Sequence, residues 1–136
     1  MKVVGVLIAY NPNIELLKKN INSYIDDLNK LIIVNNSIYS LEKKIEFSEE
    51  FSKKVEIINL FDNVGIAKAQ NTGMEKAYND GADYVLQLDQ DSIFEEKGVI
   101  NLLSSFESLL KNGIKVGILG PSIDNYSNYN KKTIKE

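Results

Sequence analysis

The chain has no cysteine, no histidine, no tryptophan and only two prolines in 136 residues, and most of these gaps remove a class of chemistry. Without Cys there is no disulfide framework and no thiolate metal site. Without His, imidazole general-base catalysis and His-ligated zinc are both excluded. All 16 basic residues are Lys, so a site that handles phosphate lacks the planar guanidinium fork and must draw on Lys, backbone N–H groups or a bound cation. The net charge of −3 argues against a surface that binds nucleic acid by neutralising phosphates. No apolar run approaches the ~18 residues of a membrane span, and Lys2 leads directly into an alternating apolar run rather than a cleavable leader. What is present is ordinary for a globular protein, 43% hydrophobic and 26% charged, with length for one domain and a sizeable core.

The informative stretch is Tyr84-Val85-Leu86-Gln87-Leu88-Asp89-Gln90-Asp91-Ser92. A short β-prone run ends abruptly in two aspartates one residue apart, which reads as a buried strand delivering carboxylates at its C-terminal end. Two carboxylates about 7 Å apart along an extended chain point to the same face. They can share a divalent cation, or divide a metal and a sugar hydroxyl between them. The plainer alternative is that Asp91 or Ser92 forms a turn or caps the next helix. Eight Asp in the chain would give about half of one such pair by chance, so the spacing alone has little specificity.

The surrounding pattern alternates strand and helix. Lys2 to Ala9 is a near-continuous β-branched run, as in a central strand covered on both faces. It stops at Tyr10-Asn11-Pro12, and apolar residues then recur at Ile14, Leu17, Ile21, Tyr24, Ile25 and Leu28, a 3.6-residue stripe. Leu31–Val34 is a second strand ending at Asn35-Asn36-Ser37, and residues 40–54 read as a weakly helical crossover. Val55–Leu60 is a third strand, ending at Phe61-Asp62-Asn63. The helix from Ile66 carries Ala69, Gly73 and Ala77 on its inner face. Gly73 costs about 1 kcal/mol there relative to Ala, so it predicts a close approach to the sheet. Asn79-Asp80-Gly81 ends this helix. An amphipathic helix is expected from about Glu95 to Lys111, its acids and Lys matched to the helix dipole, and Val116–Leu119 reads as a short fifth strand.

This alternation predicts a mostly parallel α/β sheet with right-handed crossovers and helices on both faces. With the strand order 3-2-1-4, winding reverses between the first and fourth strands. A crevice would open there, with Tyr10 and Asn11 on one side and Asp89 and Asp91 on the other. No Gly-x-Gly-x-x-Gly follows the first strand and no Gly-x-x-x-x-Gly-Lys-Ser/Thr occurs, which excludes the common dinucleotide and P-loop signatures. Acids directly after the first strand, as a phosphoacceptor receiver needs, are also missing. What remains is an anion or nucleotide held through a carboxylate-bound metal.

Four ordered blocks carry a resemblance: Ala9-Tyr10-Asn11-Pro12, Val34-Asn35-Asn36-Ser37, Asn63-Val64-Gly65-Ile66-Ala67-Lys68-Ala69-Gln70-Asn71-Thr72-Gly73, and the run from Gly81 to Ser92. Together with Gly120-Pro121 they resemble the inverting family 2 glycosyltransferases of GT-A fold, most of all the rhamnosyltransferase branch. The resemblance implies a nucleoside-diphosphate sugar donor, possession of a divalent metal (Mn2+ or Mg2+), and transfer with inversion to a saccharide or lipid-linked acceptor hydroxyl in polysaccharide biosynthesis. It further implies base and ribose contacts from Ala9, Tyr10, Asn11 and Asn35, and closure of the nucleotide pocket by Asn63, Lys68 and Asn71. Asp89 would face the ribose or donor sugar and share the metal with Asp91. The family usually has Asp where this chain has Asn35, which replaces a charged acceptor with a neutral amide.

On this resemblance, residues 1–121 are the nucleotide-sugar-binding half of a GT-A domain, and residues 122–136 a polar tail opening the acceptor-binding half. The general base is expected beyond Glu136, and the fragment is expected to bind donor without completing transfer. A cytoplasmic location follows, with docking at the inner membrane face left open. The rival reading is a non-catalytic nucleotide-sugar-binding or assembly module, self-associating through an exposed sheet edge. A nucleotidyltransferase of similar fold would need a Gly-rich basic loop after the first strand, which Tyr10-Asn11-Pro12 does not supply.

Overall fold

The computed structural model describes residues 1–122. Its contacts divide into two compact units, Met1–Val99 and the residues from Ile100 onward.

The first unit is built on four parallel strands: β1 (Val3–Ala9), β2 (Lys30–Asn35), β3 (Val55–Asn59) and β4 (Tyr84–Leu88). They lie in the order β3-β2-β1-β4, so the expected reversal of winding between β1 and β4 is present. The register places Ala9 beside Asn35, Asn35 beside Asn59, and Leu7 beside Leu88. All four chains therefore run out at the same rim. The two central strands are almost wholly buried, whereas β3 and β4, the sheet's edges, are largely half-buried.

Helices cover the sheet as the apolar periods require. On one face lies α3 (Ile66–Asn79), whose Ala69 and Ala77 join Val4, Val6, Ile32 and Val34 in one buried cluster. Gly73 explains how close this helix comes. A Cβ built there would overlap Val6 and lie 3.0 Å from Val34 Cγ2. On the other face, α1 (Ile14–Asn22) and a following 3-10 turn (Ile25–Asp27) bury Leu17, Ile21, Tyr24, Ile25 and Leu28. Leu28 approaches β1 opposite Gly5, where an added Cβ would meet it at 2.7 Å. Asn13 caps α1 by accepting a bond from Leu16 N, and Gly81 ends α3 at φ +81°, with Gly81 N bonded to Tyr78 O. The crossover between β2 and β3 holds only a 3-10 turn (Leu41–Lys43) and the four-residue α2 (Glu49–Ser52), partly helical as its polar sequence suggested.

At the far end of the sheet from the Asn- and Asp-rich rim, Lys30 bonds Glu56 and, at 2.5 Å, Asp80, while Lys76 lies 2.5 Å from Asp80 and 3.5 Å from Glu56. Hydrogen bonds from the two lysines hold the Asp80 carboxyl down to about 2. Partial burial works against the charge on Lys30, but its bonds to Asp80 and Glu56 outweigh that and raise its pKa.

Two expectations fail. The last helix, α4, spans Gly98–Lys111, starting three residues later than predicted because Lys97 adopts a left-handed conformation, φ +61°. Glu95 and Glu96 thus precede the helix and do not sit in its first turn, although Lys111 does occupy the last. Val116–Leu119 forms no strand, and Ile118 is 94% exposed. A short apolar run becomes a strand only where a neighbour pairs its N–H and C=O groups, and no such ladder reaches it among the described residues. The predicted tail, residues 122–136, lies outside those residues from 123 on.

Candidate functional site

The rim where the strands end is asparagine-rich, and the asparagines do two different jobs. Asn35, fully buried at the end of β2, donates both amide hydrogens, to Tyr39 O (2.7 Å) and Asn59 Oδ1 (2.8 Å), and accepts from Ser37 N. Its polar atoms lock the β2 exit against β3. Asn59 passes the chain of bonds on to Glu42, whose carboxyl is held below its ordinary range by bonds from Ser40 and Asn59 against a smaller opposing effect of burial. Asn36 works in the opposite direction: it donates to Asn63 Oδ1 (2.9 Å) and accepts from Val64 N (2.9 Å). This pair ties β2 to the loop before α3, where Gly65 turns the chain at φ +85° with its N–H on Asn63 Oδ1.

Across β1, the acidic turn after β4 is fixed as tightly. Gln90 accepts from Tyr10 N (2.8 Å) and donates to Tyr10 O (3.2 Å), extending the β1–β4 pairing through a side chain. The Asp89 carboxylate accepts from Ser92 N (2.9 Å) and Ser92 Oγ (2.8 Å). From below, Asn20 of α1 donates to Asp89 O (3.0 Å) and to Ser92 O. Asp91 is exposed and has no hydrogen-bonding or ionic partner among the described residues.

Between these walls lies a cleft of about 640 Å³. Ile8 and Tyr10 line it from β1, Asn36 from β2, Asn63, Gly65, Ile66 and Gln70 from the β3–α3 connection, and Gln87 to Gln90 from the β4 side. No Lys lines it. The cleft therefore pairs apolar and amide surface with the Asp89 carboxylate, and offers no fixed cation to an anionic ligand.

Of the residues singled out from sequence, Tyr10, Asn63 and Asp89 come together on this cleft. Ala9 is fully buried and its carbonyl accepts from Asn36 N (2.7 Å). Asn11 turns away at φ +40°, its N–H on Ser37 Oγ. Lys68 and Asn71 are exposed on α3 and do not line the cleft. Asp91 lies just past the lining, two residues beyond Asp89. The sequence did not single out Gln70, Gln90 or Asn20. Gln70 could have been found from helical spacing, one turn after Ile66; Asn20 from its place as a polar residue within the apolar stripe of α1.

The sequence matches the family described as Glycosyl transferase family 2 over residues 6–135. It is 34% identical over 95 residues to the dTDP-rhamnosyl transferase RfbF of Shigella flexneri, an alignment covering 66% of this chain and 29% of that protein. The chain thus spans under a third of that relative's length. Among solved structures it resembles S. aureus TarS 1-349 in complex with UDP-GlcNAc, with a TM-score of 0.62 and 17% identity over 79% of this chain and 32% of that one. The complex of the same protein with UDP gives a TM-score of 0.60 at 19% identity, with the same coverage. At such identities the likeness is one of fold.

Proposed function

The chain belongs to glycosyl transferase family 2, and from there we propose that it is the donor-binding part of a metal-dependent, inverting glycosyltransferase. Its donor is a nucleoside-diphosphate sugar of the dTDP-rhamnose type, and the sugar passes to a saccharide or lipid-linked acceptor hydroxyl in polysaccharide assembly. The observation that carries this reading is the meeting of Tyr10, Asn36, Asn63 and Asp89 around one cleft where β1 and β4 diverge, the place where open α/β sheets take their ligands. The relative's dTDP-rhamnose chemistry and the UDP and UDP-GlcNAc complexes of a protein of the same fold support the donor class.

The residues suit the parts of such a donor. Ile8, Ile66 and the half-exposed Tyr10 supply the apolar wall a nucleobase needs. Asn63 Nδ2, with no partner among the described residues, and the Gln70 amide offer hydrogen bonds. Among the described residues the diphosphate would meet no Lys in the lining, and an ion brought with it would balance its charge. The donor chemistry fits Mg2+ or Mn2+, which bind through one or two carboxylates and complete their shell with phosphate oxygens and water. No cluster of three acidic or other metal-ligating side chains competes for such an ion among the described residues. Asp91 would be the main ligand, since both oxygens of Asp89 already accept bonds from Ser92. A bound ion supplies positive charge as the nucleoside diphosphate departs. No helix among the described residues is long and apolar enough to cross a membrane.

Calorimetric titration with thymidine or uridine diphosphate, in Mn2+ and in EDTA, tests the proposal. Binding should depend on the metal and should collapse in Asp91→Asn. Metal-independent binding that ignores this substitution would refute it.

A further inference from the structure

Asn20 is an unusual residue for its position. It lies in the apolar stripe of α1 beside Leu17 and Ile21, and is 1% exposed. A leucine would fill the site without the cost of burying an amide, which is offset only if its hydrogen bonds are made. They are all made outside the helix's own backbone. Both Nδ2 hydrogens go to carbonyls of the acidic turn, Asp89 O and Ser92 O, and Oδ1 accepts from Tyr24 Oη at 2.8 Å. The orientation of the amide is fixed by this set: two carbonyls require the nitrogen on the turn side, so the oxygen faces Tyr24 and the hydroxyl must donate. Burial, and secondarily the negative Asp89 carboxylate, push the Tyr24 hydroxyl well above its ordinary pKa, so it keeps that proton.

Asp89 and Ser92 are the two ends of the turn that carries both acids. Bracing both end carbonyls fixes its span, while the Asp89–Ser92 side-chain bonds close it from within. Two further contacts hold the continuation: Phe94 N donates to Ser23 Oγ (3.1 Å), and the Phe94 ring meets Tyr24 edge-on at 5.9 Å. Asn20, Ser23 and Tyr24 do not line the cleft.

We infer that Asn20, oriented by Tyr24, is the positioning residue for the Asp89–Asp91 pair, holding the turn in its cation-binding shape before any ligand arrives. The inference rests on the donor-binding reading above. Residues that orient metal ligands without touching the metal commonly set about 10–100-fold in affinity, and ordering a loose turn on binding costs entropy that a braced one has already spent.

The test combines Mn2+ binding alone, followed by electron paramagnetic resonance, with diphosphate titrations in Mn2+ and in EDTA. Asn20→Ala should weaken Mn2+ uptake and metal-dependent diphosphate binding about 10–100-fold, leave the EDTA titration as in wild type, and speed hydrogen exchange at Ser92 N while the β1 and β2 amides stay protected. Tyr24→Phe keeps both bonds to the turn but leaves the buried amide oxygen without its donor, so it should give a smaller loss in the same direction. It carries the test if Asn20→Ala does not fold. Equal losses with and without metal would make Asn20 merely structural and overturn the inference. So would metal-dependent wild-type binding that neither substitution alters. A wild-type chain that takes up neither Mn2+ nor diphosphate would bring down the functional reading itself, and this inference with it.

Discussion

Gly73→Ala should destabilise the protein, although it replaces the second-worst helix former with the best. In an exposed helix the change would gain about 1 kcal/mol. Here the new methyl overlaps Val6 and sits 3.0 Å from Val34 Cγ2, both on buried central strands. Both neighbours are β-branched and stiff at χ1, so α3 must lift from the sheet. Overpacking costs about 1–3 kcal/mol; a direct overlap with a stiff strand residue falls at about 2–3 kcal/mol of that range, leaving a net loss of roughly 1–2 kcal/mol after the propensity gain. Urea unfolding followed by far-UV circular dichroism measures it. A double-mutant cycle assigns the cause: in a Val6→Ala background the overlapping methyl is gone, Val6 Cβ would lie at an ordinary 3.5 Å, and only the tight approach to Val34 remains. The penalty at position 73 should then shrink by about 1 kcal/mol or more, a coupling of the size seen between touching residues. If Gly73→Ala is neutral or stabilising in the wild-type background, α3 does not ride as close to the sheet as described.

Asp91→Asn should leave the urea midpoint within about 0.5 kcal/mol of wild type, since the side chain is exposed and unpartnered, while abolishing metal-dependent diphosphate binding by calorimetry. Asn36→Ala should cost about 2 kcal/mol in urea unfolding, because it breaks the bonds to Asn63 and Val64 N at a nearly buried site, and should weaken diphosphate binding by releasing the α3 side of the cleft. The ion cluster predicts acid sensitivity. Asp80 has its pKa depressed to about 2 from an ordinary 3.8, so its contribution is complete above the unfolded value and is lost as pH falls from about 4 towards 2. Urea midpoints measured across that window should fall, and Asp80→Asn should flatten the dependence.

The sheet was legible because its signals are local and strong. Four apolar, β-prone runs separated by helical periods admit few topologies, and Gly73 announced close packing by being a poor choice for anything else. The start of α4 was not legible, since the left-handed turn at Lys97 is a backbone choice that no side chain there advertises. Val116–Leu119 has the composition of a strand, but pairing is a property of the neighbour and not of the segment. In the cleft, sequence reasoning found Tyr10, Asn63 and Asp89 by their place at strand ends. It could not divide the adjacent asparagines 35 and 36. They have the same side chain and opposite facing, one spent wholly on β3 and the loop that leaves β2 and the other on the cleft wall, and only the pleat of the strand separates them.

Gln90 pairs with Tyr10 as though it were one more residue of β4, but it does so with its amide side chain, so the main chain beneath is released from the plane of the sheet. Closure of the seam and direction of the chain are thereby uncoupled. The polypeptide can curl sharply just where it leaves β4 without opening a gap next to the first strand. Substitutions at 89 or 91 can alter what the rim holds while the joint itself stays shut; a change at 90 would unfasten the joint and leave both acids chemically intact, held from the α1 side alone.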